Sequence, residues 1–588
     1  MLSARVAGAG QALPGLDARQ VSLAPGEARE LGWDIAVPVG LAKLDWQIEA
    51  AESGTASDPA RDLLKVSQKV VPAVAERTFQ ATIFQLDGSQ STTVQRPADA
   101  IPGRGGVNVR LQAKLAGDLA GVEEYLSLYP YSCFEQRASV AVGLRAEGLW
   151  AKVMLVLPEY LDGDGLIKFW PVLRYGDDSL SAYILSIADE AGWPIPDEQR
   201  ARIEQGLVGF VEGRVVRYSA LPTADLSIRK MAALEALSRR KQGFDPRWLD
   251  SIAIEPNLWP TSAVIDWYLV LKREPKLAKR DERMREAEQI LRSRLNFQGT
   301  TMGFSTEKAD ALWWLMISGD RNANRLILAL MDAPAWREDV PRMVRGALGR
   351  MQDGHWNTTV ANAWGVLALE KFSAAFESVA PTGTTTATLA SERFAHTWQP
   401  DDGAKFFERR LPWPQGREDV SLRQDGEGKP WVTLQSIAAI PLREPFSSGY
   451  KVAREVTPVQ QRVKGRWSQG DVARVHLEIE AQSDMAWVVV DDPIPAGSTA
   501  LGRGLGGDSA LLAQGEKKQG AVWPAYEERS FEAFRAYYTY VPKGKFVVEY
   551  TVRLNNAGSF HLPATHVEAM YAPEMLGEYP IADWVVSP

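Results

Sequence analysis

The segment YPYSCFEQR, residues 129–137, holds the single cysteine of the 588-residue chain, Cys133, and places Gln136 three residues after it. At the start of a helix, side chains at this spacing face the same way. The sulfur can then attack the glutamine carbonyl, ammonia leaves, and a cyclic thioester remains, favoured by the proximity of its two reactants. Such a bond acylates amines because its leaving group is a thiol.

The Cys-x-x-Gln spacing alone leaves two alternatives open. A buried structural cysteine is a frequent outcome for a free thiol. A catalytic thiol with a base elsewhere is another, although the five histidines, at positions 355, 396, 476, 561 and 566, all lie far from Cys133 in sequence. The single cysteine excludes an internal disulfide framework, and it fits a reducing compartment or an oxidising one in which a spare thiol would mispair.

Composition narrows the classes of function. A net charge of −8 gives no basic footprint, so nucleic acid is not expected as a partner. No apolar run approaches the roughly 20 residues of a membrane helix. The first residues, MLSARVAGAGQALPG, lack the pattern of a signal peptide and resemble the middle of a domain. We therefore expect a fragment of a longer, multidomain chain.

Hydrophobic periodicity divides the chain into β, α and β regions. Alternating apolar and polar residues predict strands up to about residue 120 and again beyond 380. Between them the period is helical, with Gly192 predicted to end one helix and Asn357 and Thr358 to cap another. The most apolar helices are predicted to begin near residues 136, 180, 228, 263, 310 and 358. This repeat-like spacing predicts six helical hairpins that close into an α/α toroid.

Three stretches carry a resemblance to a known family. YPYSCFEQ resembles the thioester signature of the α2-macroglobulin and complement family, in particular its bacterial branch. Residues 354–372, GHWNTTVANAWGVLALEKF, resemble the last inner helix of that family's thioester domain. Residues 523–580 resemble the closing macroglobulin domain, and VTLQSIAAIPL and residues 483–512 fit the segments between. The resemblance spans nearly the whole chain in the family's order, and it favours the thioester over a buried structural cysteine.

The resemblance implies a multidomain α and β fold. A thioester domain, the α/α toroid, is inserted into a CUB-like β domain, and macroglobulin-like β-sandwiches flank the pair. The expected boundaries are a partial macroglobulin-like sandwich at 1–75, the first CUB-like half at 76–122, the thioester domain at 123–382, the second CUB-like half at 383–464, and the C-terminal sandwich at 465–588.

The resemblance also implies roles for individual residues. Cys133 supplies the thiol, Gln136 the acyl group, and Glu135 assists by positioning the turn and shuttling the proton. The residues expected to shield the bond from water are Tyr129, Met570 and Tyr571, together with Trp170 and Trp259, which lie on loops that enter two inner helices. For all five, plain core packing is the alternative.

Histidine usage bears on which nucleophile is expected. The ester-forming members of the family carry a histidine whose place here falls in residues 249–259, where this chain has none. Direct attack by amines is therefore expected. His355 enters the sixth inner helix and is a further candidate for a thioester role, with a surface loop position as the alternative.

The implied function is that of a protease trap. A protease cuts a bait region, the molecule rearranges, and the exposed thioester acylates a lysine of the attacker; no bait region is recognisable in this chain. No cofactor or metal is expected. The resemblance places the protein in the periplasm, with the full-length form anchored to the inner membrane and a peptidoglycan synthase as a candidate partner.

Two other classes of function compete with the trap. One is a non-reactive macroglobulin-like scaffold of the cell envelope, since the fold does not require the chemistry. The other is an enzyme that uses the toroid cavity. Against an enzyme, the sequence offers neither a metal-ligand cluster nor paired carboxylates at convincing positions, and Asp162 and Asp164 in LDGDG are predicted to form a turn.

Overall fold

A computed structural model describes most of the chain, in two compact units, residues 1–75 and 76–588. The described residues are 2–8, 11–14, 16–24, 26–29, 31–33, 35, 37, 41, 43–52, 60–70, 72–115, 119–221, 224–240, 243–252, 254–298, 301–305, 311–403, 405–502, 512–513, 515–516 and 522–588.

The first unit contains one antiparallel sheet. Its strands are β1 (Leu2–Gly8), β2 (Gln11–Ala12), β3 (Lys43–Ala51) and β4 (Arg61–Lys69), in the order β2-β1-β3-β4. β3 pairs with both β1 and β4. The strand-like alternation predicted for residues 1–75 thus corresponds to strands in the described part of this unit.

The second unit begins with a β domain whose two four-stranded sheets combine strands distant in sequence. The strands are β5 (Glu76–Gln85), β6 (Ser89–Val94), β7 (Gly105–Gln112), β10 (Thr384–Leu389), β11 (Glu392–Thr397), β12 (Phe406–Leu411), β13 (Glu418–Asp425) and β14 (Trp431–Ala439). The sheets run β11-β10-β13-β6 and β12-β7-β14-β5. β14, buried along its whole length, pairs with β5 and β7, so the intervening helical segment is inserted between strands of one domain.

The described residues of the inserted segment contain twelve α-helices and a β-hairpin. Its helices are α1 (Ala120–Leu128), α2 (Phe134–Gly143), α3 (Glu147–Tyr160), α4 (Asp178–Ala191), α5 (Asp197–Val211), α6 (Leu226–Ser238), α7 (Arg247–Asp250), α8 (Thr261–Arg273), α9 (Arg280–Arg294), α10 (Gly319–Leu330), α11 (Val340–Leu348) and α12 (Thr359–Phe376). Strands β8 (Leu295–Gln298) and β9 (Thr301–Phe304) form the hairpin. Helices α2, α4, α6, α8, α10 and α12 each contact the next, and α12 contacts α2, so the six form a closed ring.

Helix boundaries follow local signals in the sequence. Gly192 ends α4 in a left-handed conformation (φ 72°), as predicted. Thr358 caps α12 by accepting from the backbone N–H of Ala361, which confirms one of the two predicted caps. The turn predicted at Asp162 is also confirmed, because its carboxylate accepts from the backbone N–H groups of Asp164 and Leu166.

The helix predicted from residue 310 is wrong for its described residues. Residue 310 itself lies outside the described part of the chain, and Trp313–Leu315 form only one 3₁₀ turn, which ends at Met316 with a left-handed backbone (φ 58°). The helix instead begins at Gly319, because the Ser318 side chain accepts from the Arg321 N–H. The aromatic run WWL is compatible with a helical face, but the capping serine marks where the helix begins.

The C-terminal region is a β domain of three sheets. Its strands are β15 (Phe446–Ser448), β16 (Tyr450–Gln460), β17 (Trp467–Ser468), β18 (Val472–Ala481), β19 (Met485–Pro493), β20 (Thr499–Ala500), β21 (Tyr526–Arg529), β22 (Ala533–Val541), β23 (Gly544–Arg553), β24 (Gly558–Phe560), β25 (Thr565–Ala569), β26 (Ala572–Tyr579) and β27 (Trp584–Ser587). The sheets run β15-β26-β25-β19-β22-β21, β16-β18-β23-β20 and β17-β27-β24.

The start of this domain differs from the expected boundary between residues 464 and 465. β16 pairs with β18 along almost its whole length, and β15 pairs with β26. Both strands therefore belong to the C-terminal sheets and not to the preceding β domain. The alternation of apolar and polar residues in YKVAREVTPVQ fits a strand of either β domain, so it does not indicate where the boundary lies.

Candidate functional site

Cys133 and Gln136 are joined by reciprocal hydrogen bonds at the start of α2. Cys133 is the N-cap residue, and its side chain accepts from the backbone N–H of Gln136. In return, the Cys133 backbone N–H donates to Gln136 Oε1 at 3.1 Å. This is a capping box in which cysteine and glutamine take the usual places of serine and glutamate. The arrangement brings the thiol and the carboxamide together, and both residues are fully buried.

Two of the residues expected to shield the bond contact the glutamine amide directly. Gln136 Nε2 donates to the Tyr129 hydroxyl at 3.2 Å and to Met570 Sδ at 3.0 Å. Tyr129 lies at the C-terminal end of α1, whereas Met570 comes from the turn between β25 and β26 in the C-terminal domain. The carboxamide is therefore enclosed by groups from two domains.

Glu135 lies in a buried network of hydroxyl groups. Its Oε2 accepts from the Tyr571 hydroxyl at 2.6 Å, while its Oε1 accepts from Ser139 at 2.5 Å and from Thr359 at 2.9 Å. Ser139 is also paired with the Tyr183 hydroxyl at 2.6 Å. The carboxylate thus connects α2, α4, α12 and the C-terminal turn.

Burial controls the protonation of the reactive groups. Burial raises the pKa of the Cys133 thiol well above its usual value, and the Glu135 charge adds to this effect, whereas the backbone N–H groups of Gln136 and Glu135 lower it less. Burial likewise raises the pKa of Glu135, opposed by the hydroxyls of Ser139, Tyr571 and Thr359. The resting site therefore favours a neutral thiol, which needs a proton acceptor before it can attack.

Trp170 lies among aromatic rings where the helical and C-terminal domains meet. Its ring is within 6.0 Å, centroid to centroid, of Trp487, Tyr526 and Tyr537. Phe169, the preceding residue, accepts from the backbone N–H of Phe134, the first residue of α2. Trp170 thus packs next to the residue that holds the first turn of α2, among rings of the C-terminal domain.

Trp259 is placed apart from this group. Its ring packs edge-on against Trp267 of α8, at 5.3 Å between centroids, and its carbonyl accepts from Arg294 of α9. These contacts are with neighbouring helices, not with Cys133 or Gln136, and they account for its burial as core packing.

Two tyrosine side chains, Tyr125 and Tyr129, lie between His355 and Gln136. The His355 ring stacks on Tyr125, with centroids 4.0 Å apart, and Tyr125 meets Tyr129 edge-on at 5.3 Å. Its Nδ1 pairs with the Trp356 carbonyl at 2.7 Å. Burial lowers the pKa of His355, so the neutral ring is favoured. His355 therefore supports Tyr129 through Tyr125 and does not touch the thioester pair.

Sequence reasoning missed four residues that take part in the site: Tyr125, Ser139, Tyr183 and Thr359. Ser139 follows Glu135 by four residues, so helical spacing could have identified it. Tyr125 lies four residues before Tyr129 on α1. Tyr183 and Thr359 carry no local signal, because the ring of helices alone brings them to Glu135.

Among the described residues, no group of three or more His, Cys, Asp or Glu side chains is arranged to hold a metal ion. Within the same parts of the chain, no helix combines the length and the apolar character of a membrane span.

Comparison with known proteins identifies relatives by sequence. Residues 449–574 match the family model of the bacterial alpha-2-macroglobulin MG10 domain. An alpha-2-macroglobulin homolog from Nostoc sp. is 25% identical over 276 residues, an alignment that covers 43% of this chain and 14% of the Nostoc protein. The match thus spans a small part of that relative's length.

Solved structures share the fold. Native alpha-2-macroglobulin from Escherichia coli, in a structure spanning domain MG7 to the C-terminus, aligns with a TM-score of 0.71 and 17% identity, covering 100% of this chain and 94% of that one. Salmonella alpha-2-macroglobulin reacted with methylamine aligns with a TM-score of 0.72 and 20% identity, covering 100% of this chain and 38% of that one.

Proposed function

We propose that this chain, whose sequence and fold match the C-terminal region of bacterial alpha-2-macroglobulins, carries the reactive group of a covalent protease trap. The observation that carries the proposal is the capping box, in which the Cys133 side chain accepts from the Gln136 backbone N–H, the Gln136 carboxamide oxygen accepts from the Cys133 backbone N–H, and both residues are fully buried. Their condensation gives a thioester, and the bond is then the acylating group.

The enclosure of the pair fits a bond that must be kept from water. Tyr129 and Met570 contact the carboxamide nitrogen, and Tyr571 covers the neighbouring carboxylate. Met570 and Tyr571 are 3% and 4% exposed. Because both residues belong to the C-terminal domain, a movement of that domain away from α2 would expose the thioester to amines.

The domain arrangement is part of the same proposal. We interpret the ring of six helices as the inner layer of an α/α toroid, and the two sheets that flank it in sequence as a CUB-like domain. The N-terminal ends of α2 and α12 contribute Glu135 and Thr359 to one network, as expected for a rim that gathers reactive residues.

The target is proposed to be a protease, attacked through its lysine amines. Amines are favoured because the ester-forming histidine of the complement branch has no counterpart among residues 249–259. We also propose protease inhibition, a periplasmic location, anchoring to the inner membrane and a peptidoglycan synthase partner for the protein as a whole.

Intact mass spectrometry tests the proposal. The protein should be lighter than its sequence by one ammonia molecule, and methylamine, with which a Salmonella relative has been reacted, should add its own mass and release one thiol. The Cys133→Ala variant should keep its fold and show neither change. A wild-type mass equal to that of the sequence, with a free thiol and Gln136 intact, would contradict the thioester.

A further inference from the structure

The Tyr571 hydroxyl lies between two groups whose protonation must change when a thioester forms. It donates to Glu135 Oε2 at 2.6 Å, and it lies close enough to the Cys133 side chain to lower the pKa of that thiol. Excluding water from the site requires the aromatic ring, which is buried, but it does not require a hydroxyl at this point. The position of the hydroxyl therefore indicates a role besides cover.

Thioester formation poses a proton-transfer problem at this site. The thiol must lose its proton to become a nucleophile, and the leaving nitrogen must gain one. Glu135 is the base available in the network, with its Oε1 fixed by Ser139 and Thr359. Its Oε2 faces Tyr571, so the hydroxyl connects the sulfur to the carboxylate.

We propose that Tyr571 relays the thiol proton of Cys133 to Glu135 while the thioester closes, and that this residue is therefore catalytic as well as protective. The inference rests on the proposed function, since it concerns how the Cys133–Gln136 bond forms. It assigns Glu135 the role of general base, and Ser139 and Thr359 the role of positioning residues.

During closure, a proton moves from the Cys133 sulfur through the Tyr571 hydroxyl to Glu135. As the sulfur bonds to Gln136 Cδ, the thiol proton passes to the Tyr571 oxygen and the hydroxyl proton of Tyr571 passes to Glu135 Oε2. The carbonyl electron pair moves onto Gln136 Oε1, where the Cys133 backbone N–H, at 3.1 Å, stabilises the charge. The pair then returns, the C–N bond breaks, and nitrogen leaves as ammonia with the proton that Glu135 gives back.

The surroundings of Glu135 suit a group that takes and returns a proton. Burial raises its pKa, whereas three hydroxyl donors lower it. A carboxylate held between these opposing effects is basic enough to accept the proton and acidic enough to release it. In net terms, S–H and C–N bonds are exchanged for S–C and N–H bonds, and Tyr571 and Glu135 end unchanged.

Replacement of Tyr571 by phenylalanine separates relay from cover, because the ring stays. After proteolysis, mass spectrometry of the peptide that contains residues 129–137 distinguishes three states: the thioester, the unreacted pair with Gln136 intact, and the hydrolysed bond with glutamate at that position. We expect Tyr571→Phe to keep Gln136 unreacted, with thioester formation slowed by about a hundredfold or more.

Two further variants make the test decisive. Glu135→Gln should also leave Gln136 unreacted, because the base is gone. Tyr450→Phe is the matched control: Tyr450 is fully buried in the same domain as Tyr571, and its hydroxyl has no hydrogen-bond partner among the described residues. It should form the thioester at the wild-type rate.

The results distinguish a failure of the Tyr571 relay from a failure of the proposed thioester function. A complete thioester in Tyr571→Phe, or glutamate at position 136 in its peptide, would mean that Tyr571 only covers the bond, and the relay would be wrong. A Glu135→Gln variant that forms the thioester at the wild-type rate would also overturn it. A wild-type chain that never loses ammonia would instead overturn the proposed function.

Discussion

Replacing Thr359 by valine tests how the Glu135 carboxylate is tuned. The substitution keeps the side-chain shape and removes one hydroxyl, which donates to Glu135 Oε1 at 2.9 Å. Thr358, which caps α12, is left in place, and Ser139 still donates to the same oxygen. The change is therefore confined to one hydrogen bond of the proposed base.

The size of the effect follows from the strength of such a bond. A hydrogen bond to a charged group contributes roughly 1.5–3 kcal/mol. Its loss raises the pKa of Glu135, because one donor to the charged form is gone. Because the relay needs the ionised carboxylate, the pH profile of thioester formation should shift upward, with a rate below the midpoint that is roughly 10- to 150-fold lower, while its high-pH plateau changes little.

The assay uses ammonia, which opens a thioester to a thiol and a glutamine and so restores the reactants. After ammonia is removed, the disappearance of the Cys133 thiol is followed at a series of pH values. Thr433→Val is the control, since Thr433 is 5% exposed and its hydroxyl has no partner among the described residues. A Thr359→Val profile that keeps its midpoint, or falls equally at every pH, would refute the reasoning.

Three further predictions concern the cover and the stability of the fold. Met570→Ala should shorten the life of the thioester in water, measured by peptide mass, whereas Met485→Ala, in the core of the same domain, should not. Asp178→Ala should destabilise the helical domain by about 3 kcal/mol in thermal unfolding, because it leaves the buried Arg229 with a weaker partner; Asp87→Ala, from an exposed pair, should cost under about 1 kcal/mol. Burial disfavours a charged His566, but hydrogen bonds to Glu568 and Glu578 raise its pKa to about 10. The stability it contributes should be present at neutral pH and lost as pH rises towards 10, and His566→Gln should flatten that loss.

Local signals in the sequence predicted the elements around the site. Gly192 and Thr358 mark helix ends because each satisfies backbone groups next to it. The capping box of Cys133 and Gln136 follows from the three-residue spacing and a helix start. These features depend on neighbours in sequence, and a sequence is sufficient to show them.

Other features depend on contacts between distant residues. Tyr183 and Thr359 join the Glu135 network only because the ring of helices closes. Trp259 and Trp170 both lie on loops that precede helices of the ring, yet Trp259 packs against Trp267 instead of the site. The serine and threonine run of β6 has a weak apolar period, and its pairing with β13 is what makes it a strand.

The resemblance to a family supplied what spacing could not. The covering roles of Tyr129, Met570 and Tyr571 came from that resemblance, and their contacts with Gln136 and Glu135 now give each a physical basis to test. The hydroxyl of Tyr571, by contrast, acquires its proposed relay role from its hydrogen bond to Glu135 and its effect on the Cys133 thiol.

The mass of the purified wild-type chain is the most direct measurement of the central claim. If sulfur and acyl carbon are joined, the chain lacks one ammonia, methylamine restores more than that mass, and a thiol reagent then labels Cys133. If the chain instead has its full sequence mass, with Cys133 open to thiol reagents after denaturation and Gln136 unchanged, the two side chains share only a capping box and the trap has no reactive group.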